Sequence, residues 1–329
     1  MRPLKSEPLQ STIEKFLASR AANTQSNYWS AIRSFCVLSG VIRYPDARKL
    51  SPAAERFLRQ ATADDALSYM HTFRKQVAQD GLPIADRSMS HRFKVLRKLY
   101  AALMQMQRVK RNPFDDISSL ISFHYTAPKR PVRILPFEKV WDVLDCPDPN
   151  EKEGIRDRAI LALLFGGALR RNEVRRLRLD DVRISMKGQP YIFLRRTKSG
   201  RDQEQPLPTW AFERLQLLIT QRRAEGASDK DHLFIIYDVR RKHDNEQIGA
   251  HVVPRILKRY ASEVGLEGYS PKAARSTAAT MLACDGHSEF KLAEFLRHAN
   301  TRQVSVYVKM ARGLEENIAN TLKFPRKAA

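Results

Sequence analysis

"QPYIFLRRTKSGRDQEQPLP", residues 189–208, is read as a β-hairpin in a chain that otherwise reads as helical. Tyr191, Ile192, Phe193 and Leu194 are a run of strand formers, and "TKSG", residues 197–200, supplies the turn. The chain is therefore expected to be mainly α with a small β-hairpin or sheet. Working towards the C-terminus, helices are predicted in "TWAFERLQLLITQRRAEG" from Thr209, "AHVVPRILKRYASEVGL" from Ala250, "SPKAARSTAATMLACDG" from Ser270 and "FKLAEFLRHA" from Phe290. Working back, "IRDRAILALLFGG" from Ile155 is a buried helix stopped by Gly166-Gly167, and "LPFEKVWDVLDCP" from Leu135 is a short helix. The second domain is expected over residues 135–329.

Residues 1–117 read as a separate helical domain. "LQSTIEKFLASR" places Leu9, Ile13, Phe16 and Leu17 near helical spacing. "ANTQSNYWSAIRSFCVLSG" opens with polar capping residues and is expected to end at Gly40. A third helix is predicted from Thr62, as its cap, to a stop at Gly81. A long fourth runs from Asp86 to the Asn112-Pro113 pair. Its apolar face carries Phe93, Leu96, Leu99, Tyr100, Leu103 and Met106, and its other face Arg87, Arg92, Lys94, Arg97, Lys98 and Arg108. Such a helix can pack on a core and meet a phosphate backbone at once, although a basic face is also what an ordinary solvated helix shows. Residues 118–134, basic and without period, are read as the linker.

The charge balance names the class of partner. Lys and Arg number 58 against 36 Asp and Glu, net +22, and the excess is spread along the whole chain. Such a molecule attracts polyanions, so a nucleic acid is the expected partner, the bland alternative being a merely basic surface or a ribosome-associated protein. Cys36, Cys146 and Cys284 are odd in number and far apart. With no CxxC pair and no zinc-like spacing, a reducing cytoplasmic compartment is expected and no metal. No stretch approaches the length of a membrane span, and no apolar leader opens the chain. The absence of a Walker A pattern argues against an ATP-driven motor, so no cofactor is expected.

Four separated places carry residues suited to chemistry on a phosphate. In "GALRRNEVRRL", Arg170 follows the Gly-Gly stop and Glu173 lies three residues on, able to reach back and hold the guanidinium fork. Alone, such a pair is ordinarily a surface salt bridge. Lys198 sits in the hairpin turn, a position that is usually solvent-exposed without a task. On a hairpin lying against DNA it could protonate a leaving alkoxide. In "SPKAARSTAATM", Lys272 and Arg275 are three apart at a helix start and share one face, on a helix whose "AATML" run indicates burial. In "LRHANTRQVSVYVK", residues 296–309, His298 and Tyr307 are nine apart. A straight helix would put them on opposite faces, but "ANT" offers a break, with Asn300 or Thr301 as a cap. The bland alternative for Tyr307 is packing in a stripe with Val304, Val308 and Ala311.

The ordered set resembles the tyrosine recombinase (phage integrase) family. That family's motifs are an Arg in a G-L-R-x-x-E-L context, a hairpin Lys, His-x-x-Arg, and L-G-H leading to Tyr nine residues after the His. "ALRRNEV", "RTKSG", "KAAR" and "LRHANTRQVSVY" align with them in order. Lys272 stands where the family usually has His, as in some archaeal viral integrases and telomere resolvases, and Arg297 stands where it usually has Gly. The N-terminal part, with its "NTQSNY" helix and closing "NPF", is similar to the family's core-binding domain.

The resemblance implies a helical SAM-like core-binding domain plus a mixed α+β catalytic domain. It implies a site-specific DNA recombinase that cleaves and rejoins DNA through a 3′-phosphotyrosyl intermediate. Tyr307 would be the nucleophile, Arg170, Arg275 and His298 the phosphate ligands, Lys198 the general acid, Lys272 a base or a phosphate ligand, and Glu173 a support. It also implies double-stranded DNA as the partner and a homo-oligomer, a dimer per site and a tetramer in synapsis. The C-terminal stripe Leu314, Ile318 and Leu322 would dock either on the neighbouring protomer, joining the assembly, or on its own domain. Accessory proteins are compatible with this. No arm-binding domain is expected before residue 9. Neighbouring readings are a catalytically degenerate DNA-binding protein, or a telomere resolvase or type IB topoisomerase-like enzyme.

Overall fold

The computed structural model describes residues 8–42, 49–77, 84–123, 132–195, 200–237 and 246–315, with the backbone alone at 314 and 315. The chain divides into two compact units, Met1–Lys129 and Arg130–Ala329. The division falls inside the stretch read as a linker.

The first unit is helical among its described residues: α1 (Leu9–Ala18), α2 (Ala22–Leu38), α3 (Pro52–Gln60), α4 (Ala63–Lys75), α5 (Asp86–Gln105) and α6 (Pro113–Asp116). Its core is organised around Phe114, fully buried, whose ring meets those of Phe35 at 5.3 Å, Tyr100 at 5.8 Å and Phe93 at 5.9 Å. Apolar residues of α1, α2, α4 and α5 close around it, and burying each large one stabilises the fold by about 1.5–3 kcal/mol.

Several boundaries differ from the sequence reading. α2 is capped by Ala21 with no side-chain hydrogen bond, so its polar opening residues do not cap it. α3 was not anticipated, although Ser51 caps it and Pro52 opens it. α4 begins as expected, with Thr62 and Asp65 forming a reciprocal capping box, but it ends at Lys75, and Gly81 lies outside the described residues. α5 stops at Gln105 rather than at Asn112. Gln107 takes a left-handed φ of 58°, and the Arg108 and Gln107 amides donate to the Leu103 and Met104 carbonyls. Asn112 then caps a new helix, accepting from the Phe114 amide at 3.2 Å.

On α5, Arg87, Lys94, Arg97 and Lys98 are exposed. Arg97 pairs with Asp115. Arg92 is only half-exposed: it donates to Ser30 Oγ at 3.1 Å, and its guanidinium lies 5.3 Å from the Phe73 ring. Arg108, read as part of the basic face, lies beyond the helix end and is buried.

The second unit is built on α8 (Lys152–Phe165), in which every residue from Ala159 to Phe165 is buried. α7 (Val140–Asp145), α10 (Thr209–Ala224), α11 (Val252–Glu263) and α12 (Pro271–Cys284) pack on it. The short α9 (Arg171–Val174) leads to a sheet of β1 (Val182–Ile184), β2 (Pro190–Leu194) and β3 (Gln203–Pro206). The hairpin is present, in antiparallel register Tyr191↔Pro206 to Leu194↔Gln203, and β1 adds an unanticipated third strand through Val182↔Ile192. The turn itself, with Lys198, lies outside the described residues. At its base Arg195 is held by Asp180 and Asp181, each at 2.8 Å. α13 (Glu289–Phe295) and α14 (Ser305–Glu315) follow, α14 packing on α12. The predicted stripe Leu314, Ile318 and Leu322 lies outside the described side chains. Among the described residues no helix is long and apolar enough to cross a membrane, and no His/Cys/Asp/Glu group is arranged to hold a metal.

Candidate active site

The site begins where α8 ends. A Cβ on Gly166 would meet the Ala162 carbonyl at 2.9 Å and Ala211 at 3.0 Å, so a side chain there would force the backbone to shift, while one on Gly167 would have to displace the tip of Leu169 at 2.6 Å. Ala168 then takes φ 46°, which swings the chain out before α9. Arg170 caps α9, and Glu173 reaches back to it twice. The carboxylate accepts from the Arg170 amide at 2.8 Å and from its Nη1 at 2.7 Å. The Arg170 guanidinium is thereby fixed while its side chain keeps one-third of its surface exposed (33%).

Arg275 enters from α12. It is 7% exposed and donates to the carbonyls of Ala168 and Leu296, which tie α12 to the loop before α9 and to the end of α13. The end of α13 decides where His298 points. Arg297 takes φ 52°, its amide donates to the Glu294 carbonyl, and the His298 amide donates to that of Ala293. This is a left-handed helix stop with its two closing hydrogen bonds, formed without glycine. Asn300 is extended and precedes a 3-10 turn, Thr301–Gln303, and α14 begins at Ser305. The break between His298 and Tyr307 is therefore present. Asn300 makes it by backbone conformation, with no side-chain cap.

Tyr307 is 7% exposed and packs with Ala168, Ala279, Leu292, Leu296 and Val304. It is both a packed aromatic and a neighbour of Arg275, since its phenol is among the groups acting on that guanidinium. The structure thus brings together Arg170, Glu173, Arg275, His298 and Tyr307 from four separated segments. Lys272, in the first turn of α12, is exposed and makes no hydrogen bond or ion pair among the described residues. Arg297, not singled out as a site residue from the sequence, is part of the network, donating to Glu173 Oε2 at 2.7 Å with its side chain 3% exposed. The sequence signal for it was a second cation beside His298.

Three guanidiniums stand against one carboxylate, and the shifts of Arg275, His298 and Glu173 reflect it. Burial, followed by the charges of Arg170 and Arg297, pulls Arg275 down to about 9. Burial, then Arg275, Arg170 and Arg297, pulls His298 down to about 4, so its ring is neutral at pH 7. Burial pushes Glu173 up, but the Arg297 charge and the hydrogen bonds from Arg170 outweigh it and hold the carboxyl below its ordinary range. An anion brought to the exposed side of Arg170 is favoured by the same charges that disfavour a proton on His298.

These shifts have a sign that can be checked. With His298 depressed from 6.5, the unfolded chain binds the proton first as pH falls. The fold is therefore expected to lose stability progressively from pH 6.5 towards about 4, with Glu173 adding loss at still lower pH. Denaturant midpoints measured against pH should slope downwards through that window. His298→Gln should flatten the upper part of the slope, and an unchanged slope would exclude His298 as its source.

A model described as "Phage integrase family" matches residues 133–313, which spans every part of this cluster. The chain is 27% identical over 290 residues to tyrosine recombinase XerC of Pelobacter propionicus, covering 82% of this chain and 89% of that protein. It is 29% identical over 183 residues to tyrosine recombinase XerA of Thermococcus kodakarensis, covering 56% and 60%. Among solved structures, XerH bound to palindromic difH substrate in a post-cleavage complex is similar with a TM-score of 0.67 at 15% identity, over 97% of this chain and 98% of that one. A lambda integrase dimer bound to a COC′ core site is similar with a TM-score of 0.60 at 18% identity, over 94% and 79%. The family model covers more than half of the chain, and the fold is shared across nearly all of it: this protein belongs to the phage integrase family of tyrosine recombinases.

Proposed function

We propose that the chain is a site-specific DNA recombinase that cuts and rejoins DNA through a phosphotyrosyl bond. The observation that carries this is the placement of the Tyr307 phenol beside Arg275 in a net-positive cluster assembled from four segments. Arg170 and Arg275 bind the non-bridging oxygens of the scissile phosphate, and His298 adds a hydrogen bond. Tyr307 attacks phosphorus and forms a 3′-phosphotyrosyl bond. The 5′-oxygen leaves with a proton from Lys198, and the 5′-hydroxyl of a second strand reverses the step. The transition state gathers negative charge that fixed guanidiniums stabilise without reorganising. As the phenol oxygen bonds to phosphorus its proton is lost to water, and the fixed cations stabilise the charge that develops. The covalent bond conserves the energy of the phosphodiester, so rejoining needs no nucleotide cofactor.

Lys272 occupies the place where the family usually has His. A lysine serves as a base where burial strips water from its charge. Lys272 is exposed, which supports a phosphate-binding role. Arg87, Lys94, Arg97 and Lys98 on α5 offer exposed cations for the DNA backbone, with Arg92 closing that face from a half-exposed position. Residues 1–117 serve as the core-binding domain and 135–329 as the catalytic domain. A dimer on each site and a tetramer in synapsis fit the reaction's need for four strand exchanges, and the place of action is the nucleoid of the cytoplasm.

The test uses nicked suicide duplexes made from DNA that the protein retains in binding. Wild type should form an adduct stable to denaturant, and sequencing the trapped strand would identify the site. DNA that is bound tightly but never covalently trapped would leave a binding protein without chemistry.

A further inference from the structure

Arg297 is a costly residue where it stands. Its backbone lies in the left-handed region at φ 52°, where a side chain is disfavoured and glycine is not. Its guanidinium is almost wholly buried, yet among the described residues its one hydrogen-bond partner is Glu173. The Nε and Nη1 atoms are buried with no acceptor. Burying N–H groups in this way disfavours the folded state, so the cost is offset by something else or the residue is a defect. The neighbouring His298 Nδ1 is also buried without a partner.

The geometry around Glu173 supplies the offset. One carboxylate is shared: Oε1 takes the Arg170 guanidinium, and Oε2 takes both the Arg170 amide and Arg297. Without Arg297, Glu173 and Arg170 would form a closed neutral pair, leaving Arg275 as the cluster's only net charge. With Arg297, the carboxylate is claimed twice, and the cluster keeps two net positive charges behind the exposed part of Arg170. We propose that Arg297 is a positioning residue that holds Glu173 from behind, so that Arg170 presents an unquenched charge to an anion at the site. It does not touch the anion itself, since its free N–H groups are sealed from the surface. This rests on the recombinase reading only for the identity of the anion, a DNA phosphodiester. The charge arrangement stands without it.

Arg297 also faces His298 together with Arg170 and Arg275, with Glu173 as the nearby carboxylate and Tyr307 on α14 closing the cluster. Removing Arg297 should therefore make His298 easier to protonate.

The experiment uses full-length protein, inorganic phosphate as the probe and NMR of labelled histidine rings. Arg297→Gly suits the left-handed backbone and should fold. It is expected to weaken phosphate binding at neutral pH and constant ionic strength by about tenfold, and to raise the His298 pKa above the wild-type value of about 4. Arg297→Lys, which restores the charge, should recover part of both effects, as a merely space-filling role would not. If Arg297→Gly binds phosphate as tightly as wild type, the inference fails, whether or not the protein cleaves DNA. If phosphate binding weakens while wild type forms no covalent DNA adduct, the inference stands and the recombinase reading fails.

Discussion

Tyr307→Phe is expected to abolish the covalent DNA adduct, by at least about 10⁴-fold, while DNA binding stays within about threefold. The size of the effect follows from the chemistry. In the cluster only the hydroxyl oxygen can form a phosphodiester link to the strand: Arg170, Arg275 and Arg297 are cations, and an adduct through His298 would be an acid-labile phosphoramidate, which acid treatment distinguishes. The selectivity follows from the packing. The ring, not the hydroxyl, fills the space among Ala168, Leu292, Leu296 and Val304, and phenylalanine keeps that ring. A buried tyrosine elsewhere gives the contrast. The Tyr260 hydroxyl donates to Asp157 at 3.1 Å in the core of the same unit, so Tyr260→Phe should lower stability and spare adduct formation. An adduct that persists in Tyr307→Phe, or peptide mapping that places the DNA on another tyrosine, would remove Tyr307 from the mechanism.

What the sequence disclosed, and what it withheld, divides along physical lines. A run of strand formers before a turn announced the hairpin of β2 and β3, because aromatic and β-branched residues next to turn residues are a local signal. The third strand, β1, was not visible: "VRI" is three residues long and is defined by pairing with Ile192, a contact distant in sequence. The end of α5 was misplaced because Asn112-Pro113 is a strong punctuation mark, whereas the true stop is Gln107 in a left-handed conformation that glutamine does not advertise. Arg297 ends α13 in the same way and was overlooked as a site residue for the same reason. The pairing of Glu173 with Arg170 was legible because three residues of helix bring them together. The sharing of Glu173 with Arg297 was not, since 124 residues separate them.

That shared carboxylate leads to the second large effect. Glu173→Ala is expected to destabilise the catalytic unit by about 3–5 kcal/mol, the range seen when one partner of a buried ion pair is removed. Glu173 is the only carboxylate hydrogen-bonded to either Arg170 or Arg297 among the described residues, and its side chain is 11% exposed. Its loss leaves three guanidiniums together, two of them buried, and frees the Arg170 amide at the start of α9. The repulsion has a diagnostic remedy. An inorganic anion that binds among the arginines binds the folded state alone and stabilises it by mass action, worth about 2.7 kcal/mol at a hundredfold excess over its Kd. Phosphate or sulfate should therefore raise the unfolding midpoint of Glu173→Ala by more than it raises that of wild type. Glu173→Gln, which keeps an acceptor for the Arg170 amide but not the charge, should fall between the two. It should also lose the acid-range decline attributed to this carboxyl, because a group held below its ordinary pKa when folded contributes stability that disappears as pH falls through that depressed value. Thermal and denaturant unfolding of the three proteins, with and without phosphate at matched ionic strength, separates these outcomes. A Glu173→Ala protein as stable as wild type in phosphate-free buffer would mean that the arginines are spaced widely enough in water to need no carboxylate, and the electrostatic account of the site would fall with it.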